Sequence, residues 1–112
     1  MTDSTEQIEK ILSDLTHAIR EKKIIPIPRK VNMDTLARLG MTWSDAIAEL
    51  QSLSYSNYDS GPLIDRDRPL SDPLWIFKKP VHGKVIYIKL KIEYQSDGFV
   101  KIISFHIERK ND

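Results

Sequence analysis

The chain of 112 residues contains no cysteine. Disulfides, thiolate metal sites and cysteine nucleophiles are therefore excluded, and a chain without disulfides suits the cytosol. Histidine is scarce: His17, His82 and His106 stand far apart, with no spacing familiar from metal sites. The four glycines form no phosphate-cradling loop, and neither H-E-x-x-H nor G-x-S-x-G occurs. No apolar run approaches membrane-spanning length. The polar, acidic N-terminus reads as neither signal peptide nor anchor. An excess of charge of either sign is also lacking, with 17 Lys and Arg against 16 Asp and Glu. Any nucleic-acid contact must then come from local concentration of basic side chains, not from bulk charge.

What is present is ordinary for a globular protein. Charged residues make up 29% and hydrophobics 40%, which fits one domain spanning residues 1–112 around one core. The organising stretch is residues 84–110, where two runs of alternating apolar and polar residues flank Asp97-Gly98, a strong hairpin signal. In the first run Ile86, Ile88, Leu90, Ile92 and Tyr94 share a face, and Tyr87, Lys89 and Lys91 lie on the other. In the second run Phe99, Ile103, Phe105 and Ile107 share a face, with Lys101 the exception. Val100, Ile102, Ser104 and His106 lie opposite. A two-residue loop sets Lys89 against His106, whereas a four-residue loop from Gln95 to Gly98 sets Tyr87 against His106. Side chains repeat with period 2, so either register clusters Tyr87, Lys89, Ser104 and His106 on the polar face.

Elsewhere the periodicity predicts a helix over 5–22, capped by Ser4 with Gln7 and carrying Ile8, Ile11, Leu12, Leu15, Ala18 and Ile19 on one stripe. His17 falls off that stripe and reads as solvated. The prolines of residues 24–31 predict an edge strand or a strapped extended segment. Asn32 or Asp34 can cap a short helix that Gly40 ends. Thr42 with Asp45 opens another helix, with Ala46, Ile47, Leu50 and Leu53 buried. Residues 54–73 read as a long polar loop, and residues 74–78 as a short strand leading to a turn at His82. The expected fold class is α+β: three or four antiparallel strands with the N-terminal and central helices packed on one face.

The polar hairpin face carries the candidate chemistry. The plain reading is a wet surface, since antiparallel sheets often leave one face solvated. Its residue types point further. His106 can give or take a proton near neutral pH, Tyr87 offers a hydroxyl, and Lys89 and Lys91 offer positive charge. Those parts suit RNA cleavage: a base takes the 2′-OH proton, an acid protonates the departing 5′-oxygen, and cations stabilise the phosphorane. In the loop, Asp65-Arg66-Asp67-Arg68 is either solvated and self-paired or a phosphate clamp built on Arg66 and Arg68. Tyr58 and Tyr55 either stack on bases or pack back on the sheet. Asp65, Asp67 and Asp72 lack the glycine and terminal glutamate of an EF-hand loop. A helix-turn-helix over residues 33–53 would carry an acidic recognition helix, unsuited to DNA.

The order IPIPRKVNMDTLARLG, NYDSGP, LWIF, GKVIYIKLKI and VKIISFH resembles the MqsR family of toxins from bacterial type II toxin–antitoxin pairs, across residues 25–106. That resemblance implies a RelE-like antiparallel sheet, cleavage of mRNA without a metal or other cofactor, a cytoplasmic location and a cognate antitoxin protein as partner. Ribosome association is compatible with it; a membrane partner is not expected. The family's strand tyrosine falls on Tyr87 and its C-terminal basic residue on His106. Its loop lysine falls on Ser60 and its glutamine on Ile76. Catalysis is thus expected from Tyr87, Lys89 and His106, and RNA binding from Lys91, Ser104, Arg66, Arg68 and Tyr58. The alternative is a non-catalytic module that holds RNA or a protein on the same basic face.

Overall fold

The computed structural model describes residues 4–109, apart from the Ser4 side chain. The expected Ser4–Gln7 cap and Lys110 lie outside the described residues. Helix α1 (Ser4–Arg20) carries the predicted stripe, with Ile8, Ile11, Leu12, Leu15 and Ala18 buried. Strand β1 (Ile24–Pro26) follows, then α2 (Lys30–Leu39) and α3 (Trp43–Gln51). The Thr42–Asp45 capping box is formed, with the Asp45 N–H donating to Thr42 Oγ1 and the Thr42 N–H to the Asp45 carboxylate. Gly40 closes α2 at φ +65°, the left-handed geometry that glycine accepts without a Cβ penalty. After a 3-10 turn at Tyr55–Asn57, β2 (Tyr58–Leu63), β3 (Leu74–Val81), β4 (Lys84–Glu93) and β5 (Phe99–Ile107) complete the sheet.

The fold is α+β, as expected, but the sheet has five strands in the order β1-β5-β4-β3-β2. It is mixed rather than purely antiparallel, because β1 runs parallel to β5. The extra strand at the other edge comes from residues expected to be loop. Tyr58 turns inward and sets its ring edge-on to Phe77, which draws β2 onto β3. Gly61 permits the approach: a Cβ there would lie 2.9 Å from the Leu74 carbonyl and 3.0 Å from the Trp75 ring. Asp, Gly and Pro are poor strand formers, so this edge was illegible from propensity.

The hairpin pairs Tyr87 with His106, Ile88 with Phe105 and Lys89 with Ser104, then slips by one so that Leu90 faces Ile102. A bulge at Ile103 absorbs the slip. It moves Val100 and Ile102 into the core beside Ile86, Ile88, Leu90, Ile92 and Phe105, and it explains why Lys101 broke the expected alternation. The pairing at His106 is that of the four-residue loop, although the connection is longer: a 3-10 turn at Tyr94–Ser96 ends in Asp97 and Gly98, both at positive φ. Tyr94 packs over α1 and donates its hydroxyl to Asp14. Burial, with that carboxylate beside it, pushes the Tyr94 phenol above its ordinary pKa.

Helix α1 packs on the inner face of β4 and β5, and α3 on α1, so the apolar hairpin face receives the first helix as predicted. Helix α2 lies along β5 beyond the end of the short β1. There it replaces the missing neighbour strand. Asn32, completely buried, donates to the Ile27 and Ile103 carbonyls and accepts the Phe105 N–H. Thr35 accepts the Ile107 N–H. Asn32 was expected as a helix cap; the helix instead starts at Lys30, with Arg29 in extended geometry before it, and the amide serves the strand edge. Asn32→Leu should therefore cost about 2 kcal/mol, the penalty for a buried N–H left without an acceptor. Urea unfolding measures it, and an unchanged midpoint would remove Asn32 from this role.

Candidate functional site

Three rows cross the outer face of the sheet. Lys78, Tyr87 and His106 form the first, Ile76, Lys89 and Ser104 the second, and Leu74, Lys91 and Lys101 the third. Beyond the end of β2, residues 64–67 leave the sheet edge and arch back over β3, enclosing a cleft of about 760 Å³. Tyr87, Lys89, Ile76 and Pro62 line it from the sheet, and Ile64 and Arg66 from the loop. The cleft is thus half apolar, with one phenol, two cations and the carboxylates of Asp65 and Asp67. Neither Lys89 nor Arg66 forms an ion pair among the described residues. The Lys89 ammonium lies 5.9 Å from the centre of the Tyr87 ring.

The predicted site residues separate in this geometry. Tyr87, Lys89 and Arg66 come together. His106 is adjacent but only 1% exposed, because Tyr87 stacks over its ring at 5.2 Å with the planes 25° apart. Its Nδ1 lies 2.9 Å from the Ile107 carbonyl. A carbonyl can only accept, so Nδ1 is the donor in this contact. His106, expected as a proton carrier in contact with substrate, thus lies beneath the Tyr87 ring and does not line the cleft.

Lys91, expected to hold RNA, is withdrawn from the surface. Its ammonium donates to Asp65 at 2.7 Å and to Ser71 at 2.8 Å, and the two charged side chains are 5% and 18% exposed. The Lys91 hydrogen bond holds the Asp65 carboxyl below its usual pKa. This pair fastens the arching loop to the sheet and sets where Arg66 stands. Asp65, Asp67 and Asp72 do not converge: Asp65 serves Lys91, and Asp72 accepts the Gln95 N–H. Among the described residues no group of three His, Asp or Glu side chains has metal-site geometry.

Tyr58 and Arg68 do not line the cleft either. Tyr58 lies on the inner face, stacked on Tyr55, with its hydroxyl donated to the Gly61 carbonyl; the Phe77 contact wins over solvent exposure. Arg68 is exposed outside the cleft, its backbone engaged in the turn with Asp65 and Ser71. Ser104 is buried under a residue that the sequence reading passed over. Arg29 Nη1 donates to Ser104 Oγ at 2.8 Å and to the Ile103 carbonyl at 3.2 Å. Nothing local in the sequence links Arg29 to Ser104, 75 positions away. Ser60, at the family's lysine position, bonds only to the neighbouring Asp59, and Ile76 is buried under the loop.

Among the described residues no helix is long and apolar enough to cross a membrane. Compared with family models, curated proteins and solved structures, the chain matches none.

Proposed function

We propose that the chain is an endoribonuclease toxin of a bacterial type II toxin–antitoxin pair, related to the MqsR family, with a RelE-like arrangement of sheet and helices. It acts on mRNA in the cytoplasm, inhibits translation, and is held in check by a cognate antitoxin protein. One observation carries the reading: the Tyr87 phenol and two cations that form no ion pair among the described residues, Lys89 and Arg66, line one cleft with the carboxylates of Asp65 and Asp67 and an otherwise apolar wall. An unpaired cation in a partly desolvated cleft attracts a phosphate more strongly than one in open water.

The chemistry follows from those parts. The 2′-oxygen of the substrate attacks phosphorus, its proton passing to Asp67 on the cleft rim or to water. The bond to the 5′-oxygen breaks, and the Tyr87 phenol supplies that oxygen with a proton. Lys89 and Arg66 stabilise the charge on the phosphorane. His106 orients Tyr87 from beneath and does not touch the substrate.

The burial of His106 favours a second reading, in which the same face binds RNA without cutting it. Incubating the purified protein with a defined mRNA in EDTA separates the two. Cleavage at specific positions that resists the chelator is the expected result. Salt-sensitive retention of intact RNA would replace the enzyme with the binder.

A further inference from the structure

The bulge in β5 has a chemical effect beyond correcting the register. At Ile103 the strand departs from its ladder, and the Ile103 carbonyl receives Asn32 Nδ2 at 3.0 Å as well as the Arg29 guanidinium. Arg29 Nη1 also donates to the Ser104 hydroxyl, which is 1% exposed and has no room to turn away. Two acceptors on one nitrogen fix the plane of a rigid fork. The Nε and Nη2 groups of Arg29 are not used in either bond, and Arg29 forms no ion pair among the described residues. Ser104 is the cross-strand partner of Lys89. Neighbouring strands lie about 4.8 Å apart, so the fixed guanidinium stands one strand from a second cation that also lacks an ion pair. Two cations that flank the same strip of sheet without an ion pair favour an anion between them.

We propose that Arg29 and Lys89 form a phosphate subsite on the β5 side of Tyr87, separate from the Arg66 side of the cleft. A phosphodiester chain then crosses the strands, with the reacting phosphate beside Tyr87 on Lys89 and Arg66, and the neighbouring phosphate held by Arg29 on the far side of Lys89. Ser104 is the positioning residue that aims Arg29. The ligand class is single-stranded RNA of at least two phosphates, and this part of the inference rests on the RNA reading above. The phosphate subsite itself does not.

Two measurements separate them. Inorganic phosphate titrated into the full chain should shift the NMR signal of the Arg29 Nε–H, and an unmoved signal overturns the subsite. Binding of a 2′-O-methyl RNA oligonucleotide, which resists cleavage, is then followed by fluorescence anisotropy over a range of salt. Arg29→Gln should weaken binding about 5- to 10-fold and lower the slope of log K against log salt by about 0.7, the loss of one phosphate contact. Arg29→Lys should restore the slope but not the affinity, since it keeps the charge and loses the fork. Ser104→Ala should weaken binding with the slope unchanged. If Arg29→Gln binds as the unaltered protein does while Arg66→Gln is impaired, the subsite is wrong and the cleft reading stands. If phosphate moves the Arg29 signal but the RNA is not retained, the subsite stands and the RNA reading falls.

Discussion

Asp65→Ala should lower the unfolding free energy by about 3 kcal/mol, because it leaves the buried Lys91 ammonium without its counter-charge. Lys91→Met should cost about 1 kcal/mol or less. A methionine fills a similar volume, and the Asp65 carboxylate, at 18% exposure, can rehydrate. The ratio between the two substitutions is the diagnostic quantity, read from urea midpoints at pH 7. Equal losses would mean that Lys91 is solvated and that the loop is held by something else. The pH dependence has a defined sign. Lys91 lowers the folded-state pKa of Asp65 below the ordinary aspartate value of 3.8, so the stabilisation is complete above that value. It disappears as pH falls through the lower, folded-state pKa. The acid limb of the stability curve should therefore flatten in Asp65→Ala. Since Asp65 adjoins Arg66, the same substitution should loosen the cleft wall and speed proteolysis within residues 62–72.

Tyr87→Phe should reduce the rate of RNA cleavage at saturating substrate by about 100-fold, the lower end of what a positioned general acid contributes. Lys89→Ala should give a similar fall, as expected for loss of a donor aimed at developing charge. Arg66→Ala should act mainly on KM, because a cation at the cleft rim binds ground and transition states alike. Phenylalanine retains the ring that covers His106, so Tyr87→Phe should leave the thermal midpoint within about 2 °C. Undiminished cleavage by that folded variant would remove Tyr87 from the chemistry. A loss of cleavage confined to unfolded variants would show that the residue matters only for packing.

The parts of the fold that could be read in advance depend on neighbours in sequence. The stripe of α1, the Thr42–Asp45 cap, the Gly40 stop and the apolar row of β4 are set by periods of 3.6 and 2 and by local hydrogen bonds. The bulge at Ile103 was legible only as a discord, with Lys101 on a face otherwise apolar. That discord is the signal that a register shift leaves in a sequence. At the candidate site, Tyr87 and Lys89 were found because strand alternation assigns their face. Lys91 has the same alternation and the same residue type as Lys89. It differs only in what arches over it: Asp65 and Ser71 reach Lys91 and take it out of solvent.

By itself the amino-acid sequence determined the α+β class, the helices, the Thr42–Asp45 cap and the Gly40 stop, the core hairpin, and the face on which Tyr87, Lys89 and His106 lie. Those are consequences of short-range periodicity and of where apolar area must be buried. The tertiary structure alone decided that β1 runs parallel to β5, that Asn32 closes the edge of β5, and that residues 58–63 form a strand. It also decided that, among the described residues, Arg29, Lys89 and Arg66 form no ion pair whereas Lys91 does. A charged side chain is a ligand site or a structural pair according to what stands within about 4 Å of it. Contacts across 26 positions, as between Asp65 and Lys91, or 75, as between Arg29 and Ser104, are set by the fold and leave no local mark in the sequence.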